Sequence, residues 1–205
     1  MGAVTGPFMT KMMAHNLELY QAGEGITASG VFYTAGSKYS IIANPFASGW
    51  FGPTGSGITM GLIIAIMLFS KRDDFKAIAK LSIPCGIFNI NEPIIFGIPM
   101  VMNAMFAVPF FLTPVACVCC GYLVQYLGLC PLFVIDVPWT TPIGLFGFLA
   151  SSGNIMGAIW QVVIILGVST LIYTPFVIAS NRQTEEHKID LCKELEFISG
   201  SFSYL

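Results

Sequence analysis

One carboxylate dominates the chemistry this sequence could perform. Glu92 lies in Phe88-Asn89-Ile90-Asn91-Glu92-Pro93-Ile94-Ile95-Phe96-Gly97-Ile98-Pro99, a run otherwise free of charge. An ionisable group inside an apolar, proline-broken segment is costly and is by default a functional position. Flanked by Asn89 and Asn91, it could hold several hydroxyls at once or exchange a proton with one of them. The competing reading is a solvated Glu at a loop tip.

A second candidate is Gly52-Pro53-Thr54-Gly55-Ser56-Gly57. A phosphate-binding loop would need Lys after its last Gly, and Ile58 stands there. As a helix start, Gly55, Ser56 and Gly57 could still present backbone N–H groups and a hydroxyl to an anion or a sugar hydroxyl. They could equally do no more than begin a helix. A third candidate is Asp136 with Pro138-Trp139-Thr140-Thr141-Pro142. Trp139, with Thr140 beside it, could stack on the apolar face of a sugar ring or anchor at a membrane interface. His15 and His187 lie in polar stretches and read as surface residues. The cysteines (85, 117, 119, 120, 130 and 192) match no zinc spacing and read as packed thiols. No metal and no cofactor is expected.

The elements that must position these residues are apolar. Hydrophobic residues make up 55% of the 205 and charged residues 10%, at a formal net charge of −2; mean hydropathy is +0.78. A soluble domain carries about 25% charged residues. The composition excludes a disordered chain, a nucleic-acid binder with a basic footprint and most soluble enzymes. Between Pro93 and Ser180 the one charged side chain is Asp136. That tract predicts two membrane crossings, at Ala104–Leu127 with kinks at Pro109 and Pro114, and at Ile155–Ala179. Met1–Thr5 has no basic lead into an apolar run, so insertion is expected to use internal spans.

Upstream, Pro7–Gln21 has helical spacing, Gln21–Ser29 is turn-like, and the aromatic stretch Val31–Phe51 reads as irregular backbone or short helix. Gly55–Ser70 predicts a strong helix, with Gly57 and Gly61 as a weak close-approach motif. Residues 72–83 predict an amphipathic helix at the membrane surface, with Lys76 and Lys80 on one face and Phe75, Ile78, Ala79 and Ser82 on the other. From Pro84 to Asn103, the density of Pro and Gly predicts no regular helix but a re-entrant hairpin, tolerated only where protein or a wet cavity surrounds it. Gly128–Ala150 is broken again. The positive-inside rule places Lys71, Arg72, Lys76 and Lys80 in the cytoplasm, together with the tail that carries Arg182, Lys188 and Lys193.

The Asn-Glu-Pro block of residues 88–99, then Asn103, then Pro138–Pro142, resemble the membrane permease (component IIC) of the bacterial sugar phosphotransferase system. The likeness is nearest to its lactose/cellobiose/diacetylchitobiose class. Gly55-Ser56-Gly57, Ser70-Lys71 and Tyr173-Thr174-Pro175-Phe176 follow in that family's order. The resemblance implies an all-α integral membrane fold: transmembrane helices, re-entrant proline-broken hairpins and a surface amphipathic helix. It implies a multi-pass protein of the bacterial plasma membrane that binds and translocates a disaccharide. A IIB partner would phosphorylate that sugar from a phosphocysteine.

On this resemblance Glu92 would bind sugar hydroxyls and help deprotonate them. Asn89, Asn91, Gly55, Ser56, Gly57, Trp139 and Thr140 would complete the substrate site. The partners expected are the disaccharide, IIB, the lipid membrane and a second copy in a homodimer, with no nucleic acid. Family permeases are longer, and their upstream His-Gly motif has no match here. Residues 1–181 are therefore expected to form the C-terminal, sugar-binding half and 182–205 a polar tail, without a complete catalytic set. The alternative is a remnant that does not transport, or an interaction partner of a full-length permease.

Overall fold

The computed structural model describes residues 2–27, 30–34, 37–98, 100 and 104–182. Pro99, Asn103 and nearly all of the 182–205 tail, including His187 and Cys192, lie outside them. Helix α1 (Gly2–Gln21) leads into an antiparallel ribbon, β1 (Ile26–Thr27) and β2 (Gly30–Val31), which pairs Ile26 with Val31 and Thr27 with Gly30. This ribbon is the one departure from an all-helical chain among the described residues. Then follow α2 (Asn44–Trp50), α3 (Met60–Phe69), α4 (Asp73–Ile87), α5 (Glu92–Gly97), α6 (Ala104–Tyr126) and α7 (Leu145–Ala150). The last helix starts as α8 (Ile155–Val162), widens into a π-helical segment at Val163–Val168 and returns to α-helix. Ile155–Arg182 is thus one continuous helix.

Among the described residues two helices are long and apolar enough to cross a membrane, Met105–Tyr126 and Ile155–Arg182, where the hydropathy predicts them. Two expectations fail. The strong helix starts at Met60, not at Gly55. Thr54, Gly55, Gly57 and Ile58 all have positive φ, and left-handed backbone cannot join a right-handed helix. Gly57 and Gly61 therefore do not share a helix face. Each makes a close approach of its own: a Cβ on Gly61 would lie 2.1 Å from Ser169 Oγ, and one on Gly57 2.3 Å from the Phe110 ring.

The second failure concerns Pro84. Helix α4 runs through it to Ile87 instead of breaking. Pro removes one backbone bond, but here it sits in the helix's last turns. Phe75, Ala79, Ser82 and Gly86, spaced along one face, are buried and hold the helix to its neighbours. Glu92–Gly97 is likewise helical, with Pro93 in its first turn, where the missing N–H costs nothing.

The core has two parts. One gathers Trp50, Ile58, Cys117, Phe133, Phe146 and Ile165. There Trp50 stacks on Phe133, with ring centroids 5.3 Å apart. The other gathers Met60, Ile66, Phe75, Ile94, Phe106 and Tyr173. At the far end Asn181 Nδ2 donates to the Phe69 carbonyl (2.8 Å), and the Lys71 N–H donates to Asn181 Oδ1 (3.0 Å). The start of the basic 71–80 segment therefore lies beside the end of the long helix.

Candidate functional site

Three irregular loops meet where the two core regions join: residues 51–59, 88–91 and 138–144. Irregular backbone leaves N–H and C=O groups without ladder partners, and where buried these must be paired in another way. Carboxamides pair them here. Asn89 is buried and has φ +64°, a left-handed conformation that Asn tolerates. Its Oδ1 accepts from the Thr54 N–H at 2.7 Å. Its Nδ2 donates to the carbonyls of Trp139 and Thr141 (2.9 Å to the latter). Asn91, also buried, donates from Nδ2 to the Ser56 carbonyl at 2.6 Å. A Cβ on Gly55 would fall 2.4 Å from Asn91 Cγ, so that close pairing requires glycine.

The 51–59 loop is closed from within by Thr59 Oγ1 donating to the Thr54 carbonyl (3.2 Å) and by the Met60 N–H donating to Thr54 Oγ1 (3.3 Å). Behind it Tyr173 donates from Oη to the Gly57 carbonyl at 2.7 Å. The third loop is fastened by Gln161. Its Oε1 accepts from the Gly144 and Gly147 N–H groups (2.9 and 2.8 Å), and its Nε2 donates to the Gly49 carbonyl (3.0 Å).

On this frame Glu92 opens α5 with an exposed side chain. Ser56, Trp139 and Thr140 are exposed as well, while Gly57 is buried and Gly55 half-buried. Trp139 keeps 66% of its surface open. The fold thus ties three of the sequence's candidate segments together through Asn89 and Asn91. Asp136 is exposed on the approach to the third loop, and His15 is exposed on α1. Among the described residues no group of three or more His, Cys, Asp and Glu side chains is placed to hold a metal. The described cysteines are free thiols, with Cys117 and Cys130 buried.

Sequence reasoning missed Thr54, Gln161 and Asn181 as framework residues and gave Tyr173 no task. Gln161 and Tyr173 left a readable signal, each being a polar side chain inside the apolar Ile155–Ala179 run. What each one bonds has no trace in local sequence.

The family model for the phosphotransferase system, EIIC, matches residues 1–114. The cellobiose-specific EIIC component of Lactococcus lactis subsp. lactis is 45% identical over 144 residues, covering 70% of this chain and 28% of that protein. The lactose-specific EIICB component of Lacticaseibacillus casei is 34% identical over 174 residues, covering 83% of this chain and 27% of its own. The crystal structure of ChbC, the IIC component of the N,N'-diacetylchitobiose-specific phosphotransferase system, superimposes with a TM-score of 0.77 at 33% identity. That match covers 91% of this chain and 40% of ChbC. The chain thus spans well under half the length of these relatives. The residues matched by the family model, together with a fold shared over nine-tenths of the chain, establish that it belongs to the EIIC family of the phosphotransferase system.

Proposed function

We propose that this chain is the sugar-binding portion of a membrane permease that takes a disaccharide of the cellobiose, lactose or diacetylchitobiose type and presents it to a IIB partner. The observation that carries this reading is Glu92: an exposed carboxylate at the start of α5, on a turn whose two asparagines are bonded into the neighbouring loops. Glu92 accepts hydrogen bonds from sugar hydroxyls. When the hydroxyl oxygen attacks the phosphorus of the IIB phosphocysteine, the cysteine sulfur leaves and Glu92 takes the hydroxyl proton. Trp139 offers a ring face to the pyranose, and Ser56 and Thr140 offer hydroxyls. Asn89, Asn91, Gly55 and Gly57 act at the same site by shaping its walls. The substrate classes and the IIB partner are supported by the cellobiose-specific, lactose-specific EIICB and N,N'-diacetylchitobiose-specific relatives.

The α4–α5 pair then forms the re-entrant hairpin that carries Glu92, with the start of α4 at the membrane surface. The bonds from Asn181 to Phe69 and Lys71 support a common cytoplasmic side for the 71–80 segment and the tail that follows Arg182. Residues 1–181 would form the sugar-binding half, within a homodimeric permease of the plasma membrane.

A second reading, a segment that works only against another permease polypeptide, is favoured by unpartnered apolar surface. An apolar groove of about 780 Å³ lies open among Met9, Ile42, Phe46, Phe51, Val118 and Leu123.

The test is binding of labelled cellobiose, lactose and diacetylchitobiose to membranes that express the chain, with Glu92→Gln as control. Saturable binding is expected, weakened about 10- to 100-fold in the variant, as for loss of hydrogen bonds to a charged group. Binding that appears only with a co-expressed, matched N-terminal half would support the second reading. Binding unchanged by Glu92→Gln would remove Glu92 from the site.

A further inference from the structure

The stretch from Thr54 to Ile58 is strained. Four of its five residues have positive φ: Thr54 (59°), Gly55 (76°), Gly57 (82°) and Ile58 (52°). Glycine adopts this conformation freely, but Thr and Ile do so rarely, because the branched Cβ crowds the backbone. Strain of this kind persists only where the surroundings over-determine it, and it gathers at binding sites. Here Asn89 takes the Thr54 N–H, Asn91 donates to the Ser56 carbonyl and Tyr173 donates to the Gly57 carbonyl. Both asparagines belong to the turn that carries Glu92. Of these three holds, Tyr173 alone comes from a membrane-spanning helix, and its side chain is fully buried. Gly57 has no room to shift toward α6, since a Cβ there would stand 2.3 Å from the Phe110 ring.

We propose that Tyr173 is a positioning residue for the sugar site: its hydroxyl pins the strained Thr54–Ile58 loop to the Ile155–Arg182 helix and so keeps Ser56 and the Glu92 turn in binding geometry. This rests on the reading of Glu92 as the sugar-binding carboxylate. Without the hydroxyl, the Gly57 carbonyl is released and Thr54 and Ile58 can relax. Asn89 and Asn91 then carry the Glu92 turn along with the loop.

The test uses the full chain in lipid nanodiscs, with hydrogen exchange and sugar binding measured on the same samples. Tyr173→Phe removes the hydroxyl and keeps the ring. Exchange at the amides of residues 55–59 is expected to accelerate about tenfold, and cellobiose affinity to fall roughly five- to tenfold, the size of one net hydrogen bond. The Tyr173 hydroxyl also meets the Thr113 side chain, so peptides from α6 beyond the turn around Thr113 should keep their wild-type exchange. Replacing Tyr173 with 4-aminophenylalanine, which restores a donor at the same ring position, should recover both readouts. Wild-type exchange of the loop in Tyr173→Phe would overturn the proposal. So would faster exchange across α6 as well as the loop, because Tyr173 would then be holding up the fold at large. Loss that the amino variant does not rescue would also overturn it. If the wild-type chain binds no sugar, the reading of it as a sugar-binding portion that works alone fails, and the loop exchange still reports whether Tyr173 pins the loop.

Discussion

At Asn89 both N–H groups of one carboxamide go to backbone carbonyls, and its oxygen takes a backbone N–H. Alanine there would strand three backbone groups on two loops at once. Each buried group left unsatisfied costs about 1–3 kcal/mol. Asn89→Ala is therefore expected to destabilise the chain by on the order of 3 kcal/mol, seen as a lower thermal midpoint in detergent. Glu92→Gln should show the opposite pattern, with affinity falling and the midpoint holding, because the Glu92 side chain is exposed. At this scale much was legible in the sequence. A lone carboxylate in an apolar run is conspicuous, and so are two asparagines beside it. What Asn89 bonds was not legible, because its carbonyl partners at Trp139 and Thr141 are 50 and 52 residues away. The φ values of Thr54 and Ile58 were hidden for a related reason. Residue type argues against a left-handed conformation at both, and only tertiary bonds impose it.

Helix α4 shows how an element escapes its sequence. The crowding of Pro and Gly after residue 84 predicts irregular chain, yet three more residues beyond Pro84 are helical. The penalty for Pro is local, whereas the buried stripe from Phe75 to Gly86 acts along the whole helix. The start of α4 was easier to read. Asp73 and Asp74 complement its N-terminal dipole. Arg72 grips Asp74 through Nε (3.1 Å) and a terminal nitrogen (2.5 Å), and it lies 3.7 Å from the Phe75 ring centroid. The Arg72 hydrogen bond holds the Asp74 carboxyl below its usual pKa, against an opposing effect of burial. A carboxyl whose pKa is lowered by folding adds stability above its unfolded pKa. That contribution is lost as pH falls through the lowered folded value. Asp74 is 56% exposed, so the effect is small. Asp74→Asn should cost less than about 1 kcal/mol near neutral pH. The gap between the two melting curves should close on acidification through the lowered Asp74 pKa, below the ordinary carboxylate range.

Seen whole, the molecule is two core regions threaded by one helix. Ile164 and Ile165 belong to the first region, Tyr173 and Val177 to the second. Hydropathy reveals that Ile155–Arg182 can cross a membrane. It does not reveal that the helix must present Gln161 to one set of loops and Tyr173 to another. The angle between those two side chains is set partly by the π segment between them. A π turn closes its hydrogen bonds one residue later than an α turn, so Val163–Val168 takes up a residue that the rest of the helix has no place for. Deleting exposed Gly167, whose surroundings are empty within 4 Å, should tighten the turn to ordinary α-helix and leave Tyr173 facing Gly57. Deleting exposed Leu171 instead should swing Tyr173 by about 100° and free the loop. Hydrogen exchange of residues 55–59 reads out both. Chain length and helical phase come apart at this turn, which makes the segment a tolerated insertion: a site where the polypeptide holds an extra residue and can lose it without turning its two working ends out of alignment.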